Sequence, residues 1–175
     1  MNTYLSHLGY QGFNILFIVI IIALYYYKHM TSPLIYLSVL VWQFSSHLLN
    51  VVIKNTLRLP RPDSYDHGDE LDNSQSFNKI KNSVTWKNYL IIHRNFGMPS
   101  GHAQAVVSEF IFIALYFTKP LLTLVSFAQV ALTIYQRYAT RRHSIKQLAA
   151  GSSIGLLVGV GFYHLFKYNV LRIAQ

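Results

Sequence analysis

Tyr10-Gln11-Gly12-Phe13-Asn14-Ile15-Leu16-Phe17-Ile18-Val19-Ile20-Ile21-Ile22-Ala23-Leu24-Tyr25-Tyr26-Tyr27 is a run of 18 residues without a charge. A helix rises about 1.5 Å per residue, so about 17 to 25 such residues cross a hydrocarbon core about 30 Å thick. The run lacks the basic start and small-residue cleavage site of a signal peptide, so it reads as a retained membrane helix. Four more stretches have the same character: Pro33 to Ile53, Gly101 to Thr118, one that follows Lys119-Pro120 and ends near Gln136, and Gln147 to Phe166. Pro120 suits the first turn of a helix, where its missing N–H costs nothing. In the last stretch Gly151, Gly155 and Gly159 recur every fourth residue and put three glycines on one face, which suits close helix contact. The predicted fold is all-α: an integral membrane helix bundle of about five transmembrane helices, forming a single domain over residues 1–175.

Composition leads to the same class. Hydrophobic residues make up 52% of the 175 and charged residues 12%, where soluble domains carry roughly 25% charged residues. The hydrophobic content excludes disorder, and 9 Gly with 5 Pro exclude a collagen-like chain. With no cysteine, disulfides, thiol catalysis and cysteine-ligated metals are ruled out. The few charges are unbalanced: 15 Lys and Arg against 6 Asp and Glu, a formal +9. Nucleic-acid binders show such charge on a solvated surface, whereas here it lies between apolar runs. No nucleic-acid partner is expected; a membrane domain that handles an anion is.

Lys54 to Pro99 holds most of the remaining charge, and the polar part over residues 63–96 reads as an extramembrane loop inserted in the domain. Its end, Val84 to Phe96, contains Trp86, Tyr89, Leu90, Ile91 and Ile92 and suits a short interfacial helix. Five spans put the ends of the second and fourth on one side with the starts of the third and fifth. On that side lie 11 of the 15 Lys and Arg; Lys28, Lys119, Lys167 and Arg172 lie opposite. By the positive-inside rule this face would be cytoplasmic.

Three short clusters share the face: Lys54, six residues, then Arg61-Pro62; Pro99-Ser100-Gly101-His102; and Arg137, five residues, His143, three residues, Gln147. Lys54, Arg61 and Arg137 are three cations, and an arginine fork grips a phosphate through two parallel bonds. Ser100 and Gly101 open a helix, whose free N–H groups and positive dipole end attract anions. His143 and His102 add a nucleophile and a proton donor. A tetrahedral oxyanion at the membrane surface is the natural guest. Arg141 and Arg142 read as contacts for lipid headgroups. Gln43, His47, Asn50 and Lys54 fall on one helical face, and Glu109 lies two turns below His102, where it could be functional or bond His47 or Gln129.

In these motifs the sequence resembles the type 2 phosphatidic acid phosphatase and vanadium haloperoxidase superfamily, across roughly Pro33 to Phe166. Lys54, Arg61 and Pro62 match its first motif and Pro99 to His102 its second. Arg137 and His143 match the third, in which Gln136 replaces Ser and Gln147 replaces Asp. Gln147, like the stretch Gly97 to Gln104, resembles the dolichyldiphosphatase branch. The resemblance implies that His143 attacks phosphorus to form a phosphohistidine, His102 exchanges the proton, and Gln147 orients His143. It implies that Lys54, Arg61, Ser100, Gly101 and Arg137 hold the phosphate, with no metal or other cofactor. The substrate would be a polyprenyl diphosphate. A phosphatidate or undecaprenyl-diphosphate phosphatase, and a degenerate non-catalytic phospholipid-binding protein, are the alternatives. The family also implies a multi-pass protein of the endoplasmic reticulum with a lumenal site. It usually has six spans, so five leave an edge for lipid, a partner helix or a second copy in a homo-oligomer.

Overall fold

The computed structural model describes residues 3–28, 30, 32–62, 82–85, 89 and 95–173. Most of the 63–96 loop, with the stretch expected to form an interfacial helix, therefore lies outside the described residues. Among those described, six α-helices and no strand occur: α1 (Thr3–Tyr10), α2 (Gly12–Lys28), α3 (Pro33–Leu57), α4 (Gly101–Phe117), α5 (Pro120–Ala139) and α6 (Ile145–Ile173).

Each of the five apolar stretches forms a helix, and α1 precedes them as an element the sequence reading did not expect. α1 and α2 meet at a bend of 64°. Two helices, α3 and the Ile145–Asn169 part of α6, are long and apolar enough to cross a membrane, and the bent α1–α2 pair makes a third if it counts as one span. α4 is apolar but only 17 residues long. α5 has the length, but Thr123, Ser126, Gln129, Thr133 and Gln136 dilute its apolar character. By length and composition the described residues thus offer two or three spans, where the sequence reading counted five.

Local chemistry explains where the helices begin and end. α3 and α5 both start on proline, at Pro33 and Pro120, where a fixed φ favours the first turn. α3 ends with Arg58 in the left-handed region at φ 48°, its N–H donating to the Lys54 carbonyl at 2.8 Å. Ser100 caps α4 through Oγ, which accepts from the Ala103 N–H at 3.4 Å. α6 opens with a reciprocal capping box: Ser144 Oγ accepts from the Gln147 N–H at 3.3 Å, and Gln147 Oε1 accepts from the Ser144 N–H at 3.1 Å.

α4 is the central helix and packs most extensively on α6. Here the glycine face does what its spacing suggested. A Cβ placed on Gly151 would lie 2.4 Å from the Ser100 carbonyl oxygen, one on Gly155 2.4 Å from that of Gln104, and one on Gly159 2.6 Å from that of Ser108. Three glycines four apart therefore rest on three α4 carbonyls four apart, and only a hydrogen in place of Cβ permits the approach. Further along, Trp42 stacks on Phe162 at 4.1 Å, and Phe112 packs against Phe162 and Phe166. Outward-facing Ile18, Leu37, Phe44, Leu124 and Leu157 are exposed. An apolar exterior over several helices suits lipid better than water.

Polar side chains inside the bundle tie α3 to α4. Asn50 Nδ2 donates to Gln104 Oε1 at 2.9 Å, and Gln104 Nε2 donates to the Ser46 carbonyl at 2.8 Å. Gln43 Nε2 donates to Glu109 Oε1. The partner of Glu109 is thus Gln43, while Gln129 bonds the Leu8 carbonyl and Thr133.

Candidate active site

The three clusters, 89 residues apart from Lys54 to His143 in sequence, meet at one end of a cavity of about 720 Å³. Lys54 comes from the last turn of α3, Arg61 from the segment after it, Gly101 and His102 from the start of α4, Arg137 from the last turn of α5, and His143 from the α5–α6 turn. Arg142 lines the same end, while Phe13, Phe17 and Leu40 supply apolar wall and Gln43, His47 and Glu109 line the deeper part. Lys54, Arg137 and His143 are each at most 6% exposed, so three potential charges are held away from bulk water.

His143 is held by an acceptor that the sequence motifs do not name. Its Nδ1 lies 2.9 Å from the Gly97 carbonyl oxygen and 3.4 Å from Gln147 Oε1. A carbonyl can only accept, so Nδ1 carries the proton and Nε2 keeps its lone pair. Nε2 faces Arg61 Nη1 at 3.5 Å. Burial first, then the charges of Arg61, Lys54 and Arg137, lower the His143 pKa to about 3, against the hydrogen bond that its ring donates to Gln147. At neutral pH the imidazole is uncharged, as a nucleophile must be.

Gln147 does more than face the histidine. Besides closing the capping box of α6, its Nε2 donates to the Pro60 carbonyl at 2.6 Å. It thereby joins the turn bearing His143 to the segment bearing Arg61. The signal for this was present as Ser144-x-x-Gln147, a capping-box pattern, which the motif reading passed over.

His102 lies against Arg137, whose Nη2 is 2.6 and 2.8 Å from its two ring nitrogens. Tyr10 and Phe13 flank the imidazole at 5.2 and 5.4 Å, and the Arg137 guanidinium sits 5.0 Å from the centre of the Tyr10 ring. The bent N-terminal pair thus walls the site, a role invisible to motif spacing. Ser100 is fully buried and does not line the cavity; its Oγ is engaged in capping, while Gly101 faces the cavity. Arg61 Nη1 also donates to the Arg142 carbonyl at 3.0 Å.

A site of this kind combines clustered cations, an uncharged histidine whose unprotonated nitrogen faces an arginine, a second histidine and an apolar wall. It can bind a phosphate group attached to a lipid and transfer it. A family model described as the PAP2 superfamily matches residues 34–171. No curated protein and no solved structure matches the chain.

Proposed function

The chain belongs to the PAP2 superfamily, and on that premise we propose that it hydrolyses a polyprenyl diphosphate of the dolichyl type to the monophosphate. Membership itself points to phosphatase chemistry on lipid-type phosphates. The observation that carries the fuller reading is the meeting of Lys54, Arg61, Arg137, His102 and His143 at one end of a partly apolar cavity.

In this mechanism Lys54, Arg61, Arg137 and the Gly101 amide hold the terminal phosphoryl group, and Ser100 acts by capping the helix that presents that amide. His143 Nε2 attacks phosphorus in line. The bond to the bridging oxygen breaks, its electron pair leaves with the lipid monophosphate, and His102, which takes up a proton when the anionic head group binds beside it, gives that proton to the oxygen. The product of this step is a phosphohistidine. Water, losing a proton to His102, then attacks phosphorus, cleaves the N–P bond and releases phosphate. Charge built up at the phosphoryl oxygens is met by preorganised cations, the largest single source of rate in such sites. The Gly97 carbonyl and Gln147 keep the His143 ring oriented, but neither adds the negative charge an aspartate would.

The proposed setting is a multi-pass bundle of five spans in the endoplasmic reticulum with the site on the lumenal side. The balance of Lys and Arg favours the opposite side, and glycosylation-acceptor mapping decides between them.

The deciding experiment measures phosphate release by the purified protein in detergent from dolichyl diphosphate, farnesyl diphosphate and phosphatidate in one assay. The isoprenoid diphosphates should be preferred, and a His143→Ala variant should lose activity. Preference for phosphatidate would move the substrate to glycerolipids. Binding without release from any of them would leave a non-catalytic lipid-binding protein.

A further inference from the structure

Four cationic side chains, Lys54, Arg61, Arg137 and Arg142, line one end of the cavity, and among its described lining residues the carboxyl is Glu109, deeper in the bundle. A phosphate monoester carries about −1.5 to −2, which Lys54, Arg61 and Arg137 suffice to balance. A second phosphate group adds further negative charge and calls for another cation.

Arg142 is placed to be that cation. It directly precedes His143, its N–H donates to the Arg137 carbonyl at 3.1 Å, and its own carbonyl accepts from Arg61. The two site arginines thus hold its main chain, and its half-buried side chain lines the cavity. Arg141 next to it is exposed and in the left-handed region at φ 53°, so two residues that look alike in sequence part company in the fold. Lys54 and Arg137 act on both rings; Arg61 acts in addition on His143, and His143 itself and, more weakly, Arg142 act on His102. Arg61, 3.5 Å from His143 Nε2, belongs to the side of attack, while Arg142 lines the cavity that His102 also faces.

We propose that Arg142 holds the second phosphate of a diphosphate-headed lipid and makes this site favour diphosphates over phosphomonoesters. The inference rests on the reading of His143 as nucleophile and His102 as acid. The second phosphate is then the leaving group: it receives the electron pair of the broken P–O bond beside Arg142 and the proton from His102. An arginine fork suits it because the guanidinium meets two phosphate oxygens at once.

Turnover and binding test it separately. In Arg142→Gln, kcat/KM for farnesyl diphosphate should fall about 10- to 100-fold, the range of a charge-assisted contact, and that for farnesyl phosphate less than about threefold. By calorimetry, the wild-type protein should bind methylenediphosphonate more tightly than inorganic phosphate. Arg142→Gln should lose that preference while keeping its affinity for phosphate, which also reports that the variant is folded, and Arg142→Lys should keep part of it. Equal losses for both ligands, or no loss, would overturn the assignment. A protein that hydrolyses neither lipid but shows this change in binding would refute the phosphatase reading and still support Arg142 as the diphosphate contact.

Discussion

The imidazole of His143 is anchored to the carbonyl of Gly97, 2.9 Å from Nδ1, by a residue 46 positions earlier in the chain. The anchor is main chain, so no substitution at position 147 removes it directly. In Gln147→Ala the ring keeps its tautomer, while the Oε1 half of the capping box and the bond to Pro60 are lost. The expected result is a lower melting temperature, by the equivalent of about 1–3 kcal/mol, with phosphatase kcat reduced by about tenfold or less. A loss of turnover as complete as that of His143→Ala, with unchanged melting, would show that Gln147 and not Gly97 governs the ring.

The state of His143 has a pH signature. The unfolded chain takes up a proton near the ordinary histidine pKa of about 6.5, whereas the folded site resists it until about pH 3. Between these values the unfolded state binds more protons, so stability declines as pH falls through that window. Nitrogen-15 histidine spectra in micelles, in phosphate-free buffer, should include the signal of a neutral ring at pH 5 that vanishes in His143→Ala. A midpoint near 6.5 for that ring would contradict the site electrostatics.

The glycines of α6 are not equivalent. Gly155→Ala brings a Cβ to 2.4 Å from the Gln104 carbonyl oxygen, whereas a Cβ at Gly161 meets nothing within 4 Å. Gly155→Ala should cost about 1–3 kcal/mol by forcing α4 and α6 apart. Gly161→Ala should be neutral or stabilising by up to about 1 kcal/mol. Thermal unfolding in a single detergent checks both, and equal effects would mean that the two helices do not touch through their backbones.

Ser100→Ala separates capping from phosphate contact. Because Oγ is buried and accepts from the Ala103 N–H, the variant should lose about 1 kcal/mol of stability and leave KM within about twofold, less than the loss of a hydrogen bond to a charged group would give. A large rise in KM at unchanged stability would return the hydroxyl to the phosphate.

The helices and the site differ in how legible they were. Apolar runs announce helices because burial in lipid and helical rise act over consecutive residues, and all five runs became helices. Whether each spans is less legible: α5 alternates Ser126, Thr133 and Gln136 with apolar residues, and these three are buried in the bundle instead of facing lipid. That Lys54, Arg61, His102, Arg137 and His143 would share a cavity was readable because they fall at helix ends on one side of the bundle. Gly97 was not, since its contribution is a carbonyl that every residue possesses. Nor was the wall made by Tyr10, which depends on a 64° bend that no local spacing encodes.

The contact between the glycine face of α6 and the carbonyls of α4 begins at Ser100, two residues before His102, while α6 itself begins two residues after His143. His102 in the first turn of α4 and His143 just before α6 therefore flank a contact made main chain to main chain, and the gap between them is gauged by peptide units. Side chains on the outer surface, such as Leu124 and Leu157, can be exchanged as the surrounding lipid changes without resetting that gap. The bundle can be tuned to membranes of different thickness or composition while the spacing at the end that holds the two histidines stays constant.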